Sequence, residues 1–189
     1  MSAILVTAPT TEPVTLAEAK AHLEVGVTDW DALITTLIGA ARRHFERETG
    51  RSLITQTWRL DLEAFPAVIL LPHGPVIAVT DVDYVDDDGA AAALDGEQYA
   101  VDLTGDVPRV SAAPETVFPT AQRGFAAVSV TYTAGYGDAA AVPADQKAAI
   151  LFLVAHWFLN RESATTGAVV TVPMSTAAII DSYRIPRLA

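Results

Sequence analysis

The sequence predicts an α+β fold, in which a helical core of about four helices carries an inserted, small antiparallel β-rich region. Three observations predict it. Apolar residues recur at three- and four-residue steps up to Gly50 and alternate with polar ones from Leu53 to Thr133. They return after Pro143 as a run that is apolar on almost every side. The chain divides accordingly into residues 1–52 for the N-terminal helices of the core, 53–137 for the β-rich insertion, and 138–189 for the C-terminal helices and tail.

The first helix is announced by Thr15-Leu16-Ala17-Glu18, a capping box in which hydroxyl and carboxylate satisfy the amides of the first turn. It runs to about Glu24, after an arm that Pro13 helps to stop. A second helix is expected from Thr28 or Asp29, because Trp30, Leu33, Ile34, Leu37, Ile38, Ala41 and Phe45 share one face. Gly50 supplies its stop. Its opposite face, with Arg42, Arg43, Glu46 and Arg47, is read as a solvated or interface surface.

Strands are expected from Leu53 to Leu62, Val68 to Leu71, Val76 to Val85, Gln98 to Leu103, Arg109 to Ser111 and Ala126 to Thr133. The turn chemistry of Pro72-His73-Gly74-Pro75, Asp86-Asp87-Asp88-Gly89, Asp95-Gly96 and Pro108 separates most of them, which makes the middle a small antiparallel sheet. Pro143 suits a first helical position, and the helix from Ala144 to about Arg161 must be covered on all sides. A last short helix, Ser175 to Tyr183, is capped by Ser175 and halted before Pro186.

Composition excludes several functions. The chain of 189 residues is 51% hydrophobic, enough for one compact domain with a core or two small lobes, and it has no cysteine to serve a disulfide, thiolate metal site or nucleophile. The start of the chain has no basic segment followed by a long apolar run, so no secretory leader is expected. The longest apolar stretch, Ala148 to Ala155 and Trp157 to Leu159, is interrupted by His156 and is shorter than the roughly 18 residues of a membrane span. A net charge of −11 argues against clamping of nucleic-acid phosphates by the surface as a whole, though not against a wall that DNA slides past.

Three patterns could carry chemistry, and each lacks a part. Gly135-Tyr136-Gly137-Asp138-Ala139-Ala140 spells the dinucleotide turn G-x-G-x-x-A. The strand before it alternates like a half-exposed antiparallel strand, and the next helix starts beyond the glycines. Asp86-Asp87-Asp88-Gly89 hints at a calcium loop, but placing Gly89 at loop position six puts Tyr84 where the first ligand belongs. His156 and Asn160 share a helix face without the second histidine and intervening glutamate of a zinc protease, and His22, His44 and His73 are scattered. No metal, nucleotide or other cofactor is therefore expected, and no catalytic residue.

Several segments together resemble one family. They are Pro13 to Lys20 with His22-Leu23, Asp31 to Ile34 on through Glu48-Thr49-Gly50-Arg51, and Leu53 to Trp58. They continue with Leu71-Pro72 and Pro75-Val76, Tyr132 to Gly137, Val154 to Trp157 with Asn160-Arg161-Glu162, and Tyr183 to Leu188. In order and spacing these are similar to the head-tail connector proteins, or adaptors, of tailed phages, prophages and gene transfer agents. The resemblance implies a non-enzymatic virion protein made in the bacterial cytoplasm and placed in the neck, at the capsid-tail junction. It implies a homo-oligomeric ring, typically dodecameric, beneath the portal protein, with a stopper or other tail-proximal neck protein on the far side and DNA only as passing cargo.

Two groups of residues follow as candidates. The closing Tyr183, Arg184, Ile185, Pro186, Arg187 and Leu188 form the expected portal-docking element, two arginines among apolar anchors in an acidic chain. Leu151, Val154, Trp157 and Phe158 are expected in the core or at a subunit interface. A competing reading, a small ligand-binding or hydrolytic α+β domain that uses the sheet and the aspartate turn, would act as a monomer.

Overall fold

The computed structural model describes residues 2–160 and 174–185. They form two compact units, one of residues 2–9 and 55–136 and the other of residues 10–54, 137–160 and 174–185.

The first unit holds eight strands. A five-stranded antiparallel sheet has the order β1 (Ser2–Thr7), β2 (Gln56–Leu62), β8 (Val128–Ala134), β4 (Val76–Val85) and β5 (Ala91–Ala93), and a three-stranded sheet has β3 (Val68–Leu70), β7 (Arg109–Ala112) and β6 (Tyr99–Asp102). Period-two patterning produces this arrangement directly. Along β8, Val128, Val130, Tyr132 and Ala134 are buried while Ser129, Thr131 and Thr133 stay half-exposed. The buried set packs with Leu60 and Leu62 of β2, Val82 of β4, and Ile69 and Val110 of the second sheet into one core. Tyr132 buries its ring there and donates its hydroxyl to the Pro72 carbonyl at 2.8 Å; burial pushes its phenol pKa up.

Two sheets stand where one was expected, and two strands were not anticipated. The arm before Pro13 forms β1, paired from Ser2 opposite Asp61 to Thr7 opposite Thr57. Ala91–Ala93 forms β5, closing a hairpin on Asp83–Val85. The remaining strands lie where the alternation predicts them: β4 has its expected ends, β7 and β8 run one residue further than expected, and the other ends that differ are shortened by one to three residues.

On the second sheet Asp102 sits at the end of β6. Its carboxylate accepts hydrogen bonds from the Thr104 hydroxyl and amide and from Arg109, at 2.5 to 2.9 Å, and these hold its pKa down to about 2. A carboxylate with a lowered native pKa adds stability above its ordinary value of 3.8 and loses it as pH falls toward 2. Carboxyl-carbon NMR should find Asp102 titrating near 2, and Thr104→Ala should move the midpoint back toward 3.8. An unmoved midpoint would show that Thr104 does not hold the charge.

Among the described residues the second unit holds four helices: α1 (Leu16–Leu23), α2 (Asp31–Thr49), α3 (Ala144–Leu159) and α4 (Met174–Tyr183). The capping box of α1 is complete. The Glu18 amide donates to the Thr15 hydroxyl at 3.2 Å and the Glu18 carboxylate accepts from the Thr15 amide at 2.7 Å, contacts that lower the Glu18 pKa. Helix α2 begins at Asp31 instead of Thr28 or Asp29, because Thr28 to Trp30 form a separate turn closed by the Asp31 amide on the Thr28 carbonyl. Gly50 ends α2 at φ 71°, the left-handed conformation that glycine adopts without strain. Ile34, Ile38 and Phe45 of α2 and Ile150, Leu153 and Val154 of α3 are fully or almost fully buried.

Among the described residues, no helix is long and apolar enough to cross a membrane.

Candidate functional site

Each of the three patterns has a local structural use. The strand before Gly135 pairs antiparallel on both sides, with β2 and β4, and Gly135 and Gly137 at φ 128° and 121° turn the chain out of the sheet well before α3 begins at Ala144. At the β4–β5 hairpin the Asp86 carboxylate accepts the amides of Asp88 and Ala90 at 3.0 and 2.9 Å, and Gly89 takes φ 82°. The carboxylate is occupied in shaping the turn. Among the described residues no cluster of three or more His, Asp or Glu is arranged to hold a metal ion.

The histidines are apart, and three of them lie against aromatic rings. His22 lies 5.8 Å from Phe152, His44 meets Trp157 edge-on at 5.8 Å, and His73 stacks on Trp58 at 3.9 Å. Burial lowers the His44 pKa, opposed by Glu48 and assisted by Arg47. His156 contributes its carbonyl, which receives both the backbone and side-chain amides of Asn160 and so closes α3.

An open groove of about 530 Å³ runs beside α1 and α2, and among the described residues that line it the ionisable groups are Glu12 and Asp138. Both are engaged. Glu12 pairs with Arg42 at 2.7 Å, and Asp138 accepts the amides of Ala140 and Ala141 at 2.9 and 3.2 Å.

The helical unit also carries apolar surface that the described residues leave open. On α3, Val154 and Phe158 are buried, whereas Leu151 and Trp157 are half-buried, so part of this apolar helix is open. The rings of Trp30 and Phe158 stand nearly perpendicular with centres 5.9 Å apart, and Val27 and Leu159 stand exposed.

At the C-terminal end, Tyr183, Arg184 and Ile185 are tied into the helical unit. The Tyr183 hydroxyl donates to Asp145 at 2.7 Å, its carbonyl accepts from Arg51 at 2.8 Å, and the Arg51 guanidinium lies 5.8 Å from its ring. The Ile185 amide donates to the Thr49 carbonyl at 2.8 Å, and Arg184, itself exposed, pairs with Asp181 and Glu48. Pro186, Arg187 and Leu188 lie outside the described residues.

One element differs from its expected character. Arg42, expected on a solvated or interface face, is buried, held by Glu12 on one side and Glu46 on the other, both at 2.7 Å; Glu46 also accepts the Leu53 amide. The four-residue spacing of Arg42 and Glu46 was the available signal for half of this arrangement.

A family model described as Head completion protein matches residues 12–185. Solved structures match over the whole chain. One, "Neck of empty GTA particle computed with C6 symmetry", is 28% identical with a TM-score of 0.81. A second, "Virion of native gene transfer agent (GTA) particle", is 26% identical with a TM-score of 0.83. A third, "Neck of native GTA particle computed with C12 symmetry", is 26% identical with a TM-score of 0.81. Each alignment covers 100% of this chain and 98% of the other. No curated protein matches the sequence significantly.

Proposed function

The chain belongs to the head completion protein family, and from that membership we propose that it works as a structural head-tail connector in the neck of a phage or gene transfer agent particle. The observation that carries this is the end-to-end match to chains of gene transfer agent necks, helices and β-unit alike.

The chain acts as one copy of an oligomeric ring. The ring has twelve members, seats against the portal protein on one side, and receives the stopper or another tail-proximal neck protein on the other. DNA passes through it without being held, since a wall of subunits each carrying net charge −11 repels phosphate. Its work is geometric, not catalytic. Repeated contacts around a closed ring give tight capsid-to-tail joining without one strong site.

The half-buried Leu151 and Trp157 fit contact with a neighbouring copy. Trp157→Ala should cost a single chain about 2 kcal/mol, less than the roughly 3–5 typical of a fully buried large aromatic. The same change should block ring formation, as read by native mass. A variant that assembles like the parent would remove Trp157 from the interface.

Deleting the gene from its particle should give filled or leaking heads without tails in negative stain, and the purified chain mixed with portal should form rings. A strict monomer under those conditions, together with tailed particles from the deletion, would overturn the reading. The substitution of Asp86, Asp87 and Asp88 together by Asn should leave particles intact, because the Asn side-chain oxygen still accepts the turn's amides. Tail loss in the variant alongside calcium rescue of the parent would instead assign a metal site.

A further inference from the structure

We propose that the five-stranded sheet continues from one copy to the next around the ring, with β1 of each copy adding to the uncovered edge of β4 in its neighbour. The inference rests on the ring reading above and deepens it by naming the contact.

Both edges are unfinished. Strand β1 ends the sheet, its sequence Ser-Ala-Ile-Leu-Val-Thr has neither charge nor proline, and Ile4, Leu5 and Val6 are 43%, 42% and 56% exposed. Edge strands ordinarily carry such devices to prevent pairing with another chain. At the other end β5 covers β4 only at Asp83–Val85, and Leu94 bonds to Val82 just before it. Residues 76–81 therefore have β8 on one side and no described strand on the other. Ile77 on this stretch is 46% exposed.

The two edges match in length and in direction. Six residues of β1 meet six residues of β4. Each neighbouring pair in the order β1-β2-β8-β4 is antiparallel, so β1 runs opposite to β4. Rotation about a ring axis carries strand direction into the next copy nearly unchanged when the sheet edges face their neighbours. An incoming β1 therefore arrives antiparallel to β4, the pairing the rest of the sheet uses.

A head-to-tail ring needs two unlike, complementary surfaces on every copy, and these edges are such a pair. Because β1 is uncharged, it approaches the acidic β4, with Asp81 and Asp83, without repulsion between like charges. Register shifts at Val76/Ala78 and Val79/Asp81 bend β4, and curvature is what a closed ring of strands requires. Addition of a strand to an exposed edge is an established mode of recognition, with backbone bonds supplying the contact.

The cysteine-free chain makes the test direct. Ile4→Cys is combined in turn with Ile77→Cys, Val79→Cys and Asp81→Cys, three positions that bracket the six-on-six antiparallel register. Within one copy β1 and β4 are separated by two strands, about 14 Å at normal strand spacing and beyond disulfide reach, so any cross-link joins neighbours.

Oxidation of assembled particles or portal-bound rings should give a ladder of covalent oligomers in at least one pair and none in the single-cysteine controls. In parallel, Ile4→Lys with Val6→Lys, both at exposed positions, should leave the circular dichroism of the free chain unchanged and reduce ring assembly at least tenfold. Rings that form normally yet give no ladder in any pair would overturn the inference, assign β1 to another partner or to solvent, and leave the connector reading standing. Failure of the parent chain to form rings at all would overturn both.

Discussion

Replacing Arg42 by Ala should destabilise the helical unit by about 3–5 kcal/mol, the cost of removing one partner from a buried ion pair. Burial by itself disfavours the guanidinium charge, but Glu12 and Glu46 outweigh it and raise the Arg42 pKa above its ordinary value. The substitution leaves both carboxylates without their cation. One of them also holds the Leu53 amide at 2.9 Å where the chain leaves α2.

Arg42→Met separates the contributions. It restores much of the volume but not the charge, so it should recover only part of the loss, whereas Arg42→Met with Glu12→Gln and Glu46→Gln should recover most of it. Urea melts followed by helical circular dichroism measure the differences. Because the pair is largely removed from solvent, the loss should change little between low and high salt. A cost below 1 kcal/mol, or one that disappears in salt, would place Arg42 on the surface energetically despite its burial.

What the sequence made visible depended on how far apart the interacting residues lie. The capping box of α1 was legible because Thr15 and Glu18 are three residues apart and each names the other's role. The apolar repeat of α2 and the alternation of β8 were legible for the same reason, since a single element displays its own period. Strand β1 was not. Its apolar run shows no period of two, and the partner that makes it a strand is β2, some fifty residues later. Ala91–Ala93 of β5 has no alternation at all.

The candidate site divides along the same line. Arg42 with Glu46 could be seen as a helical pair, but Glu12 lies thirty residues away and only the fold brings it to the guanidinium. Tyr183 is one of the expected portal-docking residues, and its hydroxyl also holds Asp145, thirty-eight residues earlier. The resemblance reached the assembly role through the order of many short segments. It had no means of separating residues that hold the subunit together from residues free to bind a partner.

That separation shapes the last prediction, in which deleting residues 186–189 should abolish capture of the portal while leaving the helical circular dichroism and the melting of the chain unchanged. The deletion removes Pro186, Arg187 and Leu188 and stops after Ile185, whose amide is bonded to Thr49 beside the end of α2. A cut at residue 183 would be a poorer test. It would also release Asp145 and Arg51 from Tyr183, so that lost binding and lost stability could not be told apart.

Arg187 is one of only 12 basic residues against 23 acidic ones, and an arginine beside an apolar leucine is the composition of an interface anchor. In the proposed twelve-membered ring a modest contact would be repeated at every subunit, so its removal would act on all of them together and the effect on capture would be far larger than on any single chain. Arg187→Ala alone should weaken capture by at least tenfold in moderate salt, with the deficit growing when Leu188→Ala is added. Pull-down of portal by the truncated chain at the parent's level would assign docking to another face, with exposed Arg184 on the helical unit the next residue to change.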